Sequence, residues 1–455
     1  MGTQNENSLL LSMAIPMMIS MLVQALYNVV DTMFVSSLGK PALTALSLAF
    51  PVQNLMISLA VGTGVGVNAL LSKSLGEKDF KKADRAAENG IFLSYVSMLV
   101  IMLIGIFAVK PYFMSFGSSQ SVIDCGTQYL SICMIASVGL FTQVIFERLL
   151  QSTGKTMFSM LTQLIGALLN IILDPILIYG LFGLPKMGVA GAAAATVTGQ
   201  IIAGTVGIFF NIRFNKEINV TVKGIVCPEV NIIKKIYAVG VPSIIMSSIG
   251  SVMTVCINQI LRVFDSYTAE TAQAVFGIYF KLQSFIFMPV FGLNNGMVPI
   301  IAYNFGARNK KRIMKTITLS IIYACIIMLI GFLLFQIMPE TLLKIFDTGD
   351  SDMESILAIG KYTLRFISIS FLFAGYCIIA GSVFQALGNG MLSLWVSVCR
   401  QLLVLVPAAY ILAVTTHNIN CVWISFPIAE IASLTLSIIF MRHVYKKEIK
   451  PLENG

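Results

Sequence analysis

Apolar runs of twenty residues or more, separated by short charged or Gly/Pro-containing breaks, recur from one end of the chain to the other. They cover approximately 9–37, 45–72, 90–109, 129–150, 157–179, 188–210, 237–261, 273–303, 314–338, 358–387, 391–413 and 422–441. A membrane-crossing helix needs about 20 predominantly apolar residues, so the pattern predicts twelve spans. The expected fold class is an all-α polytopic membrane protein. The start, MGTQNENSLLLS, lacks a basic segment and a small-residue cleavage site, so the first run reads as a retained span.

The second half of the chain repeats the first. A shift of 230 places Gln53 on Gln283, Gly62 on Gly292, Gly66 on Gly296 and Gly76 on Gly306, and each final glycine leads into a basic cluster, GEKDFKKADR or GARNKKR. A shift of 226 places Pro16 on Pro242, and one of 234 places Gln151, Gly154, Met157 and Ser159 on Gln385, Gly388, Met391 and Ser393. Six spans per copy restore the chain direction, so the copies are expected to be parallel repeats about an axis along the membrane normal. This predicts two pseudo-symmetric six-helix bundles around a central cleft: an N-terminal lobe over 1–210, a cytoplasmic linker over 211–235, and a C-terminal lobe with a short tail over 236–455.

Composition narrows the class. Of 455 residues 57% are hydrophobic and 11% charged, against roughly 25% charged in soluble proteins. The loops leave no room for a separate catalytic or nucleotide-hydrolysing domain. The net charge of +9 is explained by the excess of Lys and Arg in cytoplasmic loops, with no need for nucleic acid. With both termini placed inside, inner loops and tail hold 21 basic residues and outer loops six. The longest outer connection, 339–361, is instead acidic, with Glu340, Asp347, Asp350, Asp352 and Glu354. Eight scattered cysteines contain no C-x-x-C pair and suggest neither a metal site nor a disulfide framework.

Charges inside hydrocarbon are costly and mark functional candidates. Seven lie in or near spans: Asp31, Glu147, Asp174, Lys281, Arg365, Arg400 and Glu430. Gln24, Asn28 and Asp31 follow i, i+4, i+7 and share a helical face. Asp174 has Asn170 one turn earlier and Pro175 directly after it; the proline cannot donate a backbone bond, which frees a carbonyl one turn back. Carboxylates, an amide oxygen and a free carbonyl suit a hard cation, and desolvated carboxyls can also carry protons. Under the repeat, Asp31, Asn170 and Asp174 fall on Ile257, Val404 and Ala408. A feature needed by the bundle itself would be present twice, so the asymmetry assigns the coupling ion to the N-terminal bundle. Arg400 and Glu430 are expected to pair, with Arg400 also a cleft candidate. Lys281 and Gln283 are candidates to line the cleft, Glu147 and Arg148 are expected to form a local pair or gate, and Arg365 to snorkel outward. Abundant Met (24) and Phe (30) make a promiscuous apolar pocket feasible.

The proline–aspartate spacing P-x14-D of the first span, VGTGVGV running into SLGEKDFKKA, NIILDPILIYG followed by GVAGAAAATV, and GLNNGMVPIIAYNFGARNKKR together resemble the multidrug and toxic compound extrusion (MATE) family, and within it the bacterial DinF-like and MepA-like branch. The likeness extends over about residues 10–440. It implies two six-helix lobes, rocking between inward- and outward-facing states, and exchange of Na+ or H+ for drugs. Carried over by position, the family's cation site falls on Asp31, Asn170, Asp174 and Thr196, with Thr198 the spare candidate and Na+ possible at Asp31, Asn170 and Asp174. The seventh and tenth spans contain no acidic residue, so the alternative C-lobe site of some branches is absent.

The resulting expectation is a monomeric, multi-pass protein of a bacterial inner (plasma) membrane. It exports small organic cations and amphipathic drugs by antiport, uses Na+ or H+ and no other cofactor, and is not an enzyme. The alternative is a flippase for lipid-linked precursors on a related repeat fold, which would line its cleft with several Arg and Lys for pyrophosphate; only Lys281 and Arg400 qualify. An intramembrane aspartyl protease would need YD and GxGD signatures that the chain lacks. ATP coupling within the chain is excluded, because GKT at Gly154 has Leu149 where a phosphate loop needs glycine.

Overall fold

The structure is a computed structural model that describes residues 1–116, 119–346 and 353–452. Asp347, Asp350 and Asp352 of the acidic connection lie outside the described residues.

The first half contains α1 (Glu6–Ser36), α2 (Lys40–Gly76), α3 (Phe80–Phe107), the short α4 (Val109–Met114), α5 (Gln120–Ile135), α6 (Val138–Ser152), α7 (Thr156–Tyr179) and α8 (Val189–Phe214). The connection carries α9 (Val222–Val226). The second half contains α10 (Val230–Leu261), α11 (Ser266–Gly306), α12 (Lys310–Ile337), the short α13 (Pro339–Lys344), α14 (Met353–Ser368), α15 (Phe371–Ala386), α16 (Gly390–Val398), α17 (Val406–Thr416), α18 (Ile419–Val422) and α19 (Ser425–Val444). A π-helical run, Cys399–Leu405, joins α16 to α17. Among the described residues, ten helical stretches are long and apolar enough to cross a membrane. Two bent pairs, α5 with α6 (45°) and α14 with α15 (50°), raise the number to twelve.

The repeat is visible at atomic resolution. Both bends fall at equivalent positions, and the short helices α4 and α13 also correspond. At the turn after α2, Lys78 has φ +60°, and after α11 Arg308 has φ +58°. Asp79 then accepts from the Lys82 amide and Asn309 from the Arg312 amide, each capping the following helix. Gln151 Nε2 donates to Ser159 Oγ at 2.9 Å, and Gln385 Nε2 to Ser393 Oγ at 3.4 Å.

The repeated glycines form the seam between the halves. A Cβ on Gly292 or Gly296 of α11 would strike the α1 backbone at Met18 or Ala14, and one on Gly66 of α2 would strike Ile236 O of α10. Near the end carrying the termini, a Cβ on Gly76 would meet Tyr303 O and one on Gly306 would meet Lys73 O. In a bilayer, where lipid is as apolar as Leu, such close backbone approach is a main source of helix association. The halves also exchange ends. Leu9, Leu10, Met13 and Ala14 of α1 enter the core of the second half, while Ile232 and Ile236 of α10 enter that of the first.

The connection between halves is shorter than 211–235, since α8 continues to Phe214 and α10 starts at Val230. It is tied to α3: Thr221 N and Oγ1 donate to Glu88 Oε1 at 3.0 and 2.7 Å, and Glu229 N donates to Asn89 Oδ1 at 2.8 Å. At the same end Glu6 pairs with Arg312 (3.4 Å) and Lys315 (2.9 Å) of α12.

Candidate functional site

The polar face of α1 turns into a cavity of about 690 Å³ lined mainly by the first half. Gln24, Tyr27, Asn28 and Asp31 come from α1; Gln53 and Asn54 from α2; Tyr129 from α5; Gln143, Glu147 and Arg148 from α6; Gln163 and Asn170 from α7; Thr196 and Gln200 from α8. Among the described residues, Met288 of α11 is its one lining residue from the second half. The cavity reaches Val35 and Leu43, toward the end opposite the termini. The termini end is sealed by the glycine contacts.

Helical periodicity sets this arrangement. On α7, Gln163, Gly166, Ala167 and Asn170 share one face, and the two small residues leave the space that the cavity occupies. Asp174 lies one turn beyond Asn170 and is fully buried. Asp31 of α1 stands close enough to Asp174 for the two carboxyls to interact electrostatically. Each also keeps a buried Oδ1 without a partner. With its amide turned to satisfy both ends, Asn170 donates to Asp174 Oδ2 at 3.0 Å and accepts from Thr196 N and Oγ1, both at 3.1 Å. In the opposite orientation Asn170 Nδ2 donates to Thr196 Oγ1, also at 3.1 Å, and the amide oxygen is left for another ligand. Thr196 is thus in contact with the group, whereas Thr198 is exposed. Two orphaned carboxyl oxygens and a reversible amide fit a small cation or a proton.

Other candidates are placed differently. Gln24 and Asn28 line the cavity; Lys281, Gln283 and Arg400 do not. Lys281 is exposed and stacks over Phe346 (5.7 Å). Arg400 pairs with the buried Glu430 at 3.5 Å, as their neighbouring spans predict. The expected Glu147–Arg148 pair does not form. Consecutive helical residues point about 100° apart, and each finds its own partners. Glu147 Oε1 and Oε2 accept from Gln143 Nε2 (2.9 Å) and Gln163 Nε2 (2.7 Å). Arg148 Nη1 donates to Gln151 Oε1 and, across the seam, to Asn295 Oδ1, both at 3.0 Å.

Sequence reasoning weighted charge and so missed Tyr27, Gln53, Tyr129, Gln143 and Gln163. Tyr27 lines the cavity along with Thr196, and Gln53 Nε2 donates to the Tyr129 hydroxyl at 3.1 Å. The signal was available for two of them, since Tyr27 and Gln143 lie one turn before Asp31 and Glu147. In the second half the counterpart of Asp31, Ile257, is fully buried in an apolar core.

Comparison with known proteins agrees with this architecture. The MatE family model matches residues 16–176 and 242–411, one segment in each half. The multidrug export protein MepA of Staphylococcus haemolyticus is 27% identical over 418 residues, 92% of this chain and 89% of that protein. The FAD transporter of Shewanella oneidensis is 24% identical over 400 residues, 88% of this chain and 86% of that protein. Among solved structures, an outward-facing multidrug resistance MATE family transporter of the MOP superfamily aligns with a TM-score of 0.92 at 25% identity, covering 98% of this chain and 97% of that one. A MOP superfamily transporter from Pyrococcus furiosus aligns with a TM-score of 0.91, also at 25% identity and with the same coverage. With the repeat, the twelve-span architecture and both matched segments in agreement, this multi-pass membrane protein belongs to the MATE family of transporters, in its MepA-like branch.

Proposed function

We propose that the protein exports amphipathic, often cationic organic compounds in exchange for Na+ or H+, by alternating access of the two halves. The observation that carries this reading is the closeness of the Asp31 and Asp174 carboxyls, Asp31 lining the cavity and Asp174 buried behind it, with an unpartnered oxygen on each. The MepA relatives, named as multidrug export proteins, support the substrate class. By the excess of basic residues, the termini lie in the cytoplasm of a bacterial plasma membrane. The glycine seam then closes the inner side, and the cavity belongs to an outward-facing state.

In that state a Na+ or a proton entering from outside binds at the two carboxyls. The Asn170 amide turns its oxygen toward a bound Na+ while its Nδ2 donates to Thr196. Neutralising the carboxylates weakens their hold on a cationic substrate, which leaves outward. Return of the ion-loaded protein to the inward-facing state releases the ion and resets the pair. One charge moving down the membrane potential contributes about 2.3 kcal/mol per 100 mV, enough for roughly a fiftyfold gradient of an uncharged substrate, whereas one-for-one exchange with a monovalent cation draws on the ion's concentration gradient alone.

The test is ethidium efflux from intact and everted vesicles under separately imposed Na+ and proton gradients, with Asp31→Asn and Asp174→Asn alongside. Loss of gradient-driven efflux in both variants, at unchanged expression and folding, is expected. Normal transport by both would remove the ion site from the mechanism.

A further inference from the structure

The ion cycle uses the Asp31–Asp174 end of the cavity and leaves the Glu147 end without a task. Eleven residues along α7 separate Gln163 from Asp174, about 16 Å at helical rise, so the two groups are distinct. Glu147 is 4% exposed and its side chain lines the cavity. Its two hydrogen-bond donors, Gln143 and Gln163, are neutral amides. The adjacent Arg148 is committed to Gln151 and Asn295. Both glutamines turn their NH2 groups to the carboxyl, and Gln163 Oε1 is buried without a donor. The cluster therefore offers a carboxyl and an unpartnered carbonyl oxygen side by side. Acceptors so placed in an apolar surround are satisfied by a positive group that carries N–H bonds.

Packing alone does not account for the cluster. By the repeat offset of 234 its counterparts are Cys377, Gly381 and Ser397, none with a carboxyl or an amide. The second bundle folds without them.

We propose that Glu147, with Gln143 and Gln163, is a recognition site for an N–H-bearing organic cation, such as a protonated amine or an amidinium, separate from the coupling-ion site. This names a substrate subsite and so rests on the export reading. It distinguishes two classes of cation. A protonated amine gains both the charge and the hydrogen bonds, whereas a quaternary or phosphonium cation gains only the charge.

The experiment uses the full-length protein and two probes, proflavine, which carries N–H bonds, and tetraphenylphosphonium, which carries none. Calorimetry in detergent gives the Kd of each, and uptake into reconstituted phosphatidylethanolamine–phosphatidylglycerol vesicles gives transport. Glu147→Gln is expected to raise the proflavine Kd about ten- to a hundredfold, the worth of a charged hydrogen bond, and the tetraphenylphosphonium Kd by much less. Gln163→Met removes the unpartnered oxygen while keeping the volume, and is expected to produce a smaller loss with the same selectivity. It also decides the matter if Glu147→Gln does not fold. Equal losses for both probes, or wild-type affinity for both, would overturn the proposal. If the selectivity is found but wild-type vesicles transport neither probe, the export reading falls and the recognition site stands. Transport without selectivity has the reverse meaning.

Discussion

Under the proposed exchange, Thr196 is the residue that distinguishes the ion's coordination from the substrate's. Its hydroxyl meets the Asn170 amide at 3.1 Å in either amide orientation, so it holds Asn170 beside Asp174 without being one of the carboxyls. Thr196→Val keeps the shape and removes the hydroxyl, a hydrogen bond of about 1 kcal/mol. The ion concentration for half-maximal efflux should rise about fivefold, with a smaller change in the KM for drug; titrating Na+ or H+ at fixed drug measures both. An equal effect on ion and drug would mean that Thr196 only supports the cavity wall. At this scale the sequence reveals most where a residue is rare for its setting. A carboxylate in a run of Val and Leu is conspicuous; the one-turn spacing brings Asn170 to Asp174, and the packing of α1 on α7 brings Asp31 near them. Glutamine and tyrosine are unremarkable in such runs, so Tyr27 and Gln143 stand out only when their one-turn spacing to the acids is considered, and Gln163, which reaches Glu147 from another helix, does not stand out at all. Lys281 was conspicuous for the same reason as Asp31 but has a long stem that carries its charge outward, and no local pattern reports that choice.

At the level of elements, the glycines of α2 and α11 divide into two kinds. Gly292 faces the Met17–Met18 backbone, where a side chain cannot be admitted without moving α1, while Gly277 on the same helix has open space about it. Gly292→Leu should lower the thermal midpoint of the purified protein by several degrees, in line with the 1–3 kcal/mol typical of overpacking. Gly277→Ala should raise it slightly, by up to about 1 kcal/mol of helix propensity. Thermal unfolding followed by tryptophan fluorescence compares the two, and equal destabilisation would refute the seam. The pairing of Gly62 with Gly292 and Gly66 with Gly296 was legible as a repeat, but its purpose was not. A repeat states that two segments are equivalent and says nothing of which partner each one touches. The bends at 136–137 and 369–370 leave no mark in the hydropathy pattern, since neither contains a proline.

For the molecule as a whole, the exchange of ends between α1 and α10 means that the halves cannot rock without sliding these two helices over the seam. Under the proposed alternating access, the termini end opens when the opposite end closes. Lys81 and Lys311 are exposed and sit at equivalent places at the starts of α3 and α12, one in each half. Spin labels on Lys81→Cys and Lys311→Cys, in a background without the native cysteines, report the separation directly. In the outward-facing arrangement a short distance dominates. If ion occupancy of the Asp31–Asp174 pair controls the cycle, changing Na+ or pH will alter the proportion of a second, longer distance. The Asp31→Asn, Asp174→Asn double variant will keep both distances and lose the response. The two outcomes that would contradict this are a single distance under every condition, which would mean that the seam does not open, and an ion response that survives in the double variant. The second would place the ion switch elsewhere in the molecule, with the Glu147 carboxyl the next group to test.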